Sequence, residues 1–310
     1  VEASPVNLEV LRLDQLIFDC DSVDFQKLHA RLKSEERNFY PDYFSEILQL
    51  GNVDAPMAHQ ALYGFRTYEL CAEAQHQIDS VFDDTDRLKR DFESAFGRLK
   101  TLFPNRNVPQ VVMMNSGYNF GVVPTESTLA VGLEFYIGAE NSLVKRLPGE
   151  KFPLYVREKM IPEQVLSNAM KGWLLVQHQD VLEKSELIDH ITFYGKVMYM
   201  LHLILPEEPE HRHFAYTEAE LNWCKENEFK IWTTIVSEDM TFSKDKKLIR
   251  NWTGNGPFTQ GFAKESPGQL AYFMGKEMVK DYMAEHQDIT MDELLEVTAT
   301  EILNRYKPKN

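Results

Sequence analysis

The chain has 310 residues, 43% hydrophobic and 26% charged, with 33 Lys and Arg against 48 Asp and Glu for a formal net charge of −15. That balance excludes a disordered chain, a collagen and a transmembrane protein, and so acidic a surface argues against a dedicated nucleic-acid binder. Cys20, Cys71 and Cys224 are too few and too far apart for a disulfide framework or a zinc knuckle, and read as small buried apolar groups.

In chain order, residues 86–103 read as a helix with Leu88, Phe92, Phe96, Leu99 and Phe103 on one face and Pro104 as its stop. Residues 110–114 and 118–123 are β-rich and joined through Asn115-Ser116-Gly117, which reads as a hairpin turn. A third strand is expected over 128–133. Residues 183–205 form the longest apolar-periodic stretch, with Leu187, Ile191, Tyr194, Met198, Leu201 and Leu205 in one stripe and Pro206 ending it. Three capping boxes follow. Thr217 with Glu220 opens one helix, and Thr290 with Glu293 another. Between them Ser266 reads as the N-cap of a helix over 266–281, with Pro267 in its first turn, Gln269 reaching back, and Gly268 and Gly275 on one face. Gly195 is the natural partner of that face, since a glycine inside a helix costs about 1 kcal/mol and marks a close approach. The expected fold is α+β, one domain over 1–310. It has a helical part to 105, a small and largely antiparallel sheet over 106–140, and a helical part from 141.

The chemistry-bearing residues are mostly uninformative. None of the nine histidines has another three or four residues away, so the HExxH arrangement, which brings two imidazoles to one zinc, is absent. His211-Arg212-His213 reads as solvated loop, while a zinc site assembled from distant histidines stays open on sequence grounds. Gly268, Gly275 and Lys276 have the wrong spacing for a phosphate loop, and Glu277 stands where the magnesium-binding hydroxyl would be. No Gly-x-Ser-x-Gly elbow exists. The 12% aromatic content reads as core filling, with a sugar- or peptide-binding groove as the alternative. No cofactor is expected.

Tyr194-Gly195-Lys196-Val197-Met198-Tyr199, followed by Leu205-Pro206, resembles the central motif of GldB, the gliding-motility lipoprotein family of the Bacteroidetes. Four further stretches agree in order: Arg12-Leu13-Asp14-Gln15 with Tyr40-Pro41-Asp42-Tyr43-Phe44; Leu129 through Glu134-Phe135-Tyr136-Ile137-Gly138; Tyr216-Thr217-Glu218-Ala219-Glu220-Leu221 leading to Ile231-Trp232; and Glu265-Ser266-Pro267-Gly268 leading to Gly275 and Lys280-Asp281-Tyr282-Met283. The likeness spans nearly the whole chain.

The resemblance implies a cell-envelope lipoprotein, anchored by an acylated cysteine upstream of Val1. The expected location is the periplasmic side of the outer membrane, and the expected partners are envelope proteins. It also implies kinship with zincin-type zinc peptidases, in which a small sheet precedes the helix bearing HExxH. The matching helix here is the one over 183–205, where Lys196 puts a cation in place of a metal and His190 and His202 do not replace the missing pair. The expectation is a zincin-like scaffold without a catalytic metal; the alternative is a zinc peptidase with a non-standard site. Tyr194, Gly195, Lys196 and Tyr199 admit two readings, core packing or a retained cleft lined by Tyr194, Lys196, Glu265 and Tyr272. Asp21-Ser22-Val23 and Asp79-Ser80-Val81 resemble the acceptor pattern for O-linked sugars in exported proteins of that phylum, at a frequency close to chance.

Overall fold

The computed structural model describes residues 1–177, 182 and 185–309. His178 and the first two residues of the expected 183–205 helix lie outside the described residues. The chain forms two compact units. A sheet unit contains Pro5–Glu93 and Asn107–Gly172, and a helical unit contains Val1–Ser4, Ser94–Arg106 and Trp173–Asn310.

The sheet unit is built on four strands, β1 (Val10–Arg12), β2 (Gln110–Met114), β3 (Val122–Pro124) and β4 (Thr128–Gly132), in the order β1-β2-β4-β3. The expected antiparallel sheet is corrected here. β1 and β4 both pair parallel with β2, and only β3 runs antiparallel, against β4. β2 and β3 are not a hairpin, and β1 had no counterpart among the expected strands. The physical reason lies in composition. β4 is buried along all five residues and β2 along its last four, so neither has the polar face of a half-solvated hairpin. Residues 115–121, instead of turning tightly, wrap around a buried carboxylate described below.

Its principal helices are α1 (Leu13–Phe18), α2 (Phe25–Glu35), α3 (Glu69–Val81), α4 (Asp86–Leu102, of which residues from 94 belong to the helical unit) and α5 (Val165–Val176, whose last four belong there too). Leu13, Ile17, Phe25, Leu28, Phe39, Tyr40, Tyr43 and Phe44 form one core with Val112, Met114 and Ala130 of the sheet. Buried His29 ties this core together. It hydrogen-bonds Tyr40 Oη at 2.8 Å through Nδ1 and the Val53 carbonyl at 3.0 Å through Nε2. The first long helix after the sheet in the chain is α5, and a Cβ on its Gly172 would lie 2.9 Å from Val122 of β3. Cys71 is buried, whereas Cys20, expected to be buried too, is only half-buried.

The helical unit is organised around α6 (Leu187–Ile204), with α7 (Glu210–Phe214), α8 (Lys246–Thr253), α9 (Leu270–Glu285) and α10 (Met291–Glu296) following in sequence. α6 starts at an N-cap on Glu186, which forms a capping box with Asp189, and it is buried nearly all round rather than along one stripe. The Thr217 and Thr290 boxes form as read, and Thr298 with Glu301 makes another. The Ser266 box does not form. α9 begins at Leu270, after Gln269 in the left-handed region with φ 60°, and the Ser266 hydroxyl is buried without a partner. Gly268 therefore precedes the helix and does not share a face with Gly275. Its space is taken by Gly256, whose backbone nitrogen would lie 2.9 Å from a Cβ on Gly268. Tyr216 and Thr259 fix the segment by donating to the carbonyls of Gly268, Gln269 and Pro267. His211 to His213 are the other correction, because they lie in α7 and His213 is fully buried.

Gly195 of α6 and Gly275 of α9 meet backbone to backbone, and a Cβ on Gly275 would lie 2.8 Å from Gly195 Cα. Gly275→Ala should therefore destabilise by about 1–3 kcal/mol in urea unfolding, although Ala favours a helix. Gly64→Ala is the control, since Gly64 lies in the Ala58–Thr67 helix with nothing within 4 Å of a new Cβ. It should be neutral or stabilising. An unchanged unfolding midpoint in Gly275→Ala would mean that the helices do not touch there.

Candidate functional site

Three places among the described residues concentrate polar side chains inside this protein. The first surrounds Lys196, in the middle of α6 and 8% exposed. A buried ammonium is costly unless its protons are met. Its Nζ donates to the carbonyls of Leu295 at 2.9 Å and Val297 at 2.6 Å, at the C-terminal end of α10. Those carbonyls have no partner within their own helix, so Lys196 supplies a cap from another element. Burial pulls its pKa down to about 8, against the raising influence of Glu296 and Glu301. Lys196 lines a cleft of about 840 Å³, whose walls include Arg106, Asp189, Thr192, Phe193, Glu296 and Thr298.

The residues expected to share this cleft are dispersed. Gly195 is turned toward Gly275, about 100° around the helix from Lys196. Tyr194 stacks on Tyr272 of α9 with ring centroids 4.2 Å apart. Glu265 is exposed in the segment before α9. None of these four is among the residues lining the Lys196 cleft.

The second place was not expected. Asp14, Asn115, Ser116 and Glu134 are all fully buried, and each lies within two residues of the C-terminal end of β1, β2 or β4. Carboxyl ends of parallel strands are where open sheets present functional groups, because the chain leaves the sheet there and its side chains converge. Arg12 forks onto Asp14 at 2.9 and 2.7 Å, and Gln75 donates to the same carboxylate at 3.0 Å. Asn115 donates to Gln75 at 3.4 Å and to the Cys71 carbonyl at 3.1 Å. Tyr43 reaches the Asn115 carbonyl at 2.8 Å. The stretches around Arg12 and Tyr43 thus meet at the end of β2.

Glu134 ends this cluster. Its Oε1 accepts from the backbone N–H groups of Ser116 at 2.8 Å and Tyr118 at 3.1 Å, and from the Ser116 hydroxyl, which has the Phe120 carbonyl as an alternative acceptor at 3.0 Å. To point both N–H groups inward, Gly117 and Tyr118 take positive φ of 64° and 62°, an outlier for a bulky tyrosine. Oε2 has no partner. Burial raises the Glu134 pKa to about 7, only partly opposed by these hydrogen bonds. The sequence signal for this site was the run of apolar residues in β2 and β4, which marks central parallel strands and gives meaning to the polar residues just after each, Asn115 and Ser116 after β2 and Glu134 after β4.

A third group lies in the helical unit. Lys276, 3% exposed, pairs with Glu210, which also takes Lys225 at 2.6 Å. Burial raises the Glu210 pKa, but the two lysines outweigh it and hold the carboxyl at about 2. His202 packs on His213, ring centroids 5.8 Å apart. Among the described residues no three His, Cys, Asp or Glu side chains converge as a metal-binding group, and no helix is long and apolar enough to cross a membrane.

Over residues 1–308 the chain matches the family of the gliding motility protein GldB. It belongs to that family, gliding-motility-related lipoproteins of the cell envelope. No curated protein and no solved structure matches it significantly.

Because the fold raises the Glu134 pKa, this group stabilises the folded state most below its unfolded value of 4.5 and loses that contribution as pH rises to about 7. Glu134→Gln copies the protonated form. Urea unfolding from pH 5 to pH 8 should show wild type losing about 2 kcal/mol relative to this variant. Parallel pH profiles would place the Glu134 carboxyl in contact with water.

Proposed function

We propose that this chain is a non-catalytic binding or assembly component of the cell envelope, working through the Lys196 cleft. The observation that carries the reading is the state of Lys196. Its ammonium is held by two backbone carbonyls and joins α6 to α10, so the centre of α6 carries a structural joint beside an open cleft rather than a reactive group. Envelope proteins are the partners this reading requires. A lipid anchor upstream of Val1 would hold the chain on the periplasmic side of the outer membrane.

The scaffold reads as a degenerate relative of zincins. In support, the small sheet precedes α6, the helix matched by the resemblance, in chain order, and α6 carries His190 and His202 without an HExxH pair. The alternative, a zinc peptidase with a non-standard site, is separated by one preparation. Elemental analysis and a casein-cleavage assay on the purified chain should give no stoichiometric zinc and no proteolysis. Tightly held zinc at about one per chain, removed by chelation together with a peptidase activity, would replace the binding reading.

The cleft is tested at Glu296, exposed on its rim. Glu296→Gln removes the charge there without touching the core or setting a second cation beside Lys196, so its melting temperature should stay within about 2 °C of wild type. In a deletion strain the variant should reach the envelope at normal level yet fail to restore colony spreading. Full restoration would remove the cleft from the function.

A further inference from the structure

Independently of the Lys196 cleft, the helical unit holds a second cavity, of about 700 Å³, beside the start of α6 and along α8. It is lined by Leu182, Ser185 and His190 on one side and by Lys244, Lys246, Ile249, Arg250 and Thr253 on the other. Among the described residues, the lining charges have one sign: three cations and no carboxylate line the cavity, in a chain where acids outnumber bases 48 to 33.

These cations are poorly compensated. Lys246 and Arg250 stand one turn apart on α8, where like charges repel. Among the described residues neither has a carboxylate partner at ion-pair distance. Lys244 reaches Glu186 at 3.5 Å, but that pair is 65% and 31% exposed and therefore well screened. The neighbouring Asp245 is occupied as the N-cap of α8, accepting from Lys247 N–H at 2.8 Å. All three cations are exposed to water, which screens them at rest and leaves them available to an incoming anion.

His190 adds a directional group. The Ser185 hydroxyl donates to the Leu182 carbonyl at 2.9 Å, so it accepts from His190 Nε2–H at 3.0 Å. This fixes the neutral tautomer and leaves Nδ1 as an acceptor, buried and without a partner. Buried Ile249 supplies an apolar base.

We propose that this cavity binds a phosphate-bearing organic anion, its phosphate met by Lys244, Lys246 and Arg250 and its apolar part resting on Ile249. Guanidinium and ammonium groups together suit a phosphate, which accepts charge-assisted hydrogen bonds from both. The volume falls within the roughly 300–1,000 Å³ of small-molecule sites, well beyond what inorganic phosphate fills. A bilayer phospholipid and a free phosphorylated molecule share this chemistry.

The test titrates monomeric dihexanoyl phosphatidic acid into the full chain by calorimetry. Saturable one-to-one binding is expected, weakened about tenfold or more in the Lys246→Gln/Arg250→Gln double variant and partly retained in Arg250→Lys. Without ligand the double variant should melt at or slightly above the wild-type temperature, because a repulsion has been relieved. Absence of saturable binding, or equal binding by the double variant, overturns the proposal. So does a clear fall in its unliganded melting temperature, which would show that the cations are already answered within the chain. Co-sedimentation with phosphatidylcholine vesicles containing phosphatidic acid, lost in the double variant, assigns the site to a bilayer lipid. Saturable binding of the short-chain lipid without vesicle binding assigns it to a free ligand.

Discussion

The backbone contact between Gly195 and Gly275 is the constraint on which the helical unit depends. With no side chain on either glycine, α6 and α9 approach closely enough that the residues beside the contact have only particular directions left. Tyr194 and Tyr272 are brought into a stack at 4.2 Å. Lys196 is carried around to the end of α10, and Lys276 toward Glu210. Two buried lysines thus stand next in sequence to the two contact glycines, each answered by a different element. A buried cation is tolerated only where an acceptor is fixed in place, and the rigid helix pair fixes both.

The sheet unit solves the opposite problem. Its parallel strands end at one edge, and the residues that follow them are polar and fully buried. Most of that cluster is satisfied through the chain from Arg12 to Asn115. Glu134 is the exception, since one of its oxygens takes every available donor and the other has none. A strained loop at Gly117 and Tyr118 is maintained to hold this carboxylate. Lys196 borders open space with its ammonium engaged, whereas Glu134 is enclosed with half its carboxylate unengaged. The first arrangement closes a helix end beside a cleft, and the second ties local stability to proton uptake.

Much of the fold was legible where the signal is local. The Thr217 and Thr290 boxes depend on residues three apart, and both form. The amphipathic face of residues 86–103 is buried as its spacing indicates, with Phe92, Phe96, Leu99 and Phe103 all in the core. The family likeness, carried by ordered short motifs, extends over 1–308. Local signals failed where a distant group outbid them. Ser266 has every feature of an N-cap, yet Tyr216 and Thr259 take the carbonyls around it and Gly256 occupies the space beside Gly268, so the helix starts at Leu270.

By itself the sequence determined the helical character, the places of three of the four strands and the close approach of Gly195 to Gly275. Those follow from periodicity, from chain stops and from the helix-breaking cost of glycine, all properties of adjacent residues. Only the tertiary structure decided strand direction, the burial of His213 and the convergence of Asp14, Asn115, Ser116 and Glu134. Strand direction depends on which hydrogen-bonding edges find each other across more than a hundred residues, as β1 finds β2. A buried polar cluster exists only once several strand ends have been brought together. No spacing within one segment encodes that meeting, because its energy lies in the contact between segments.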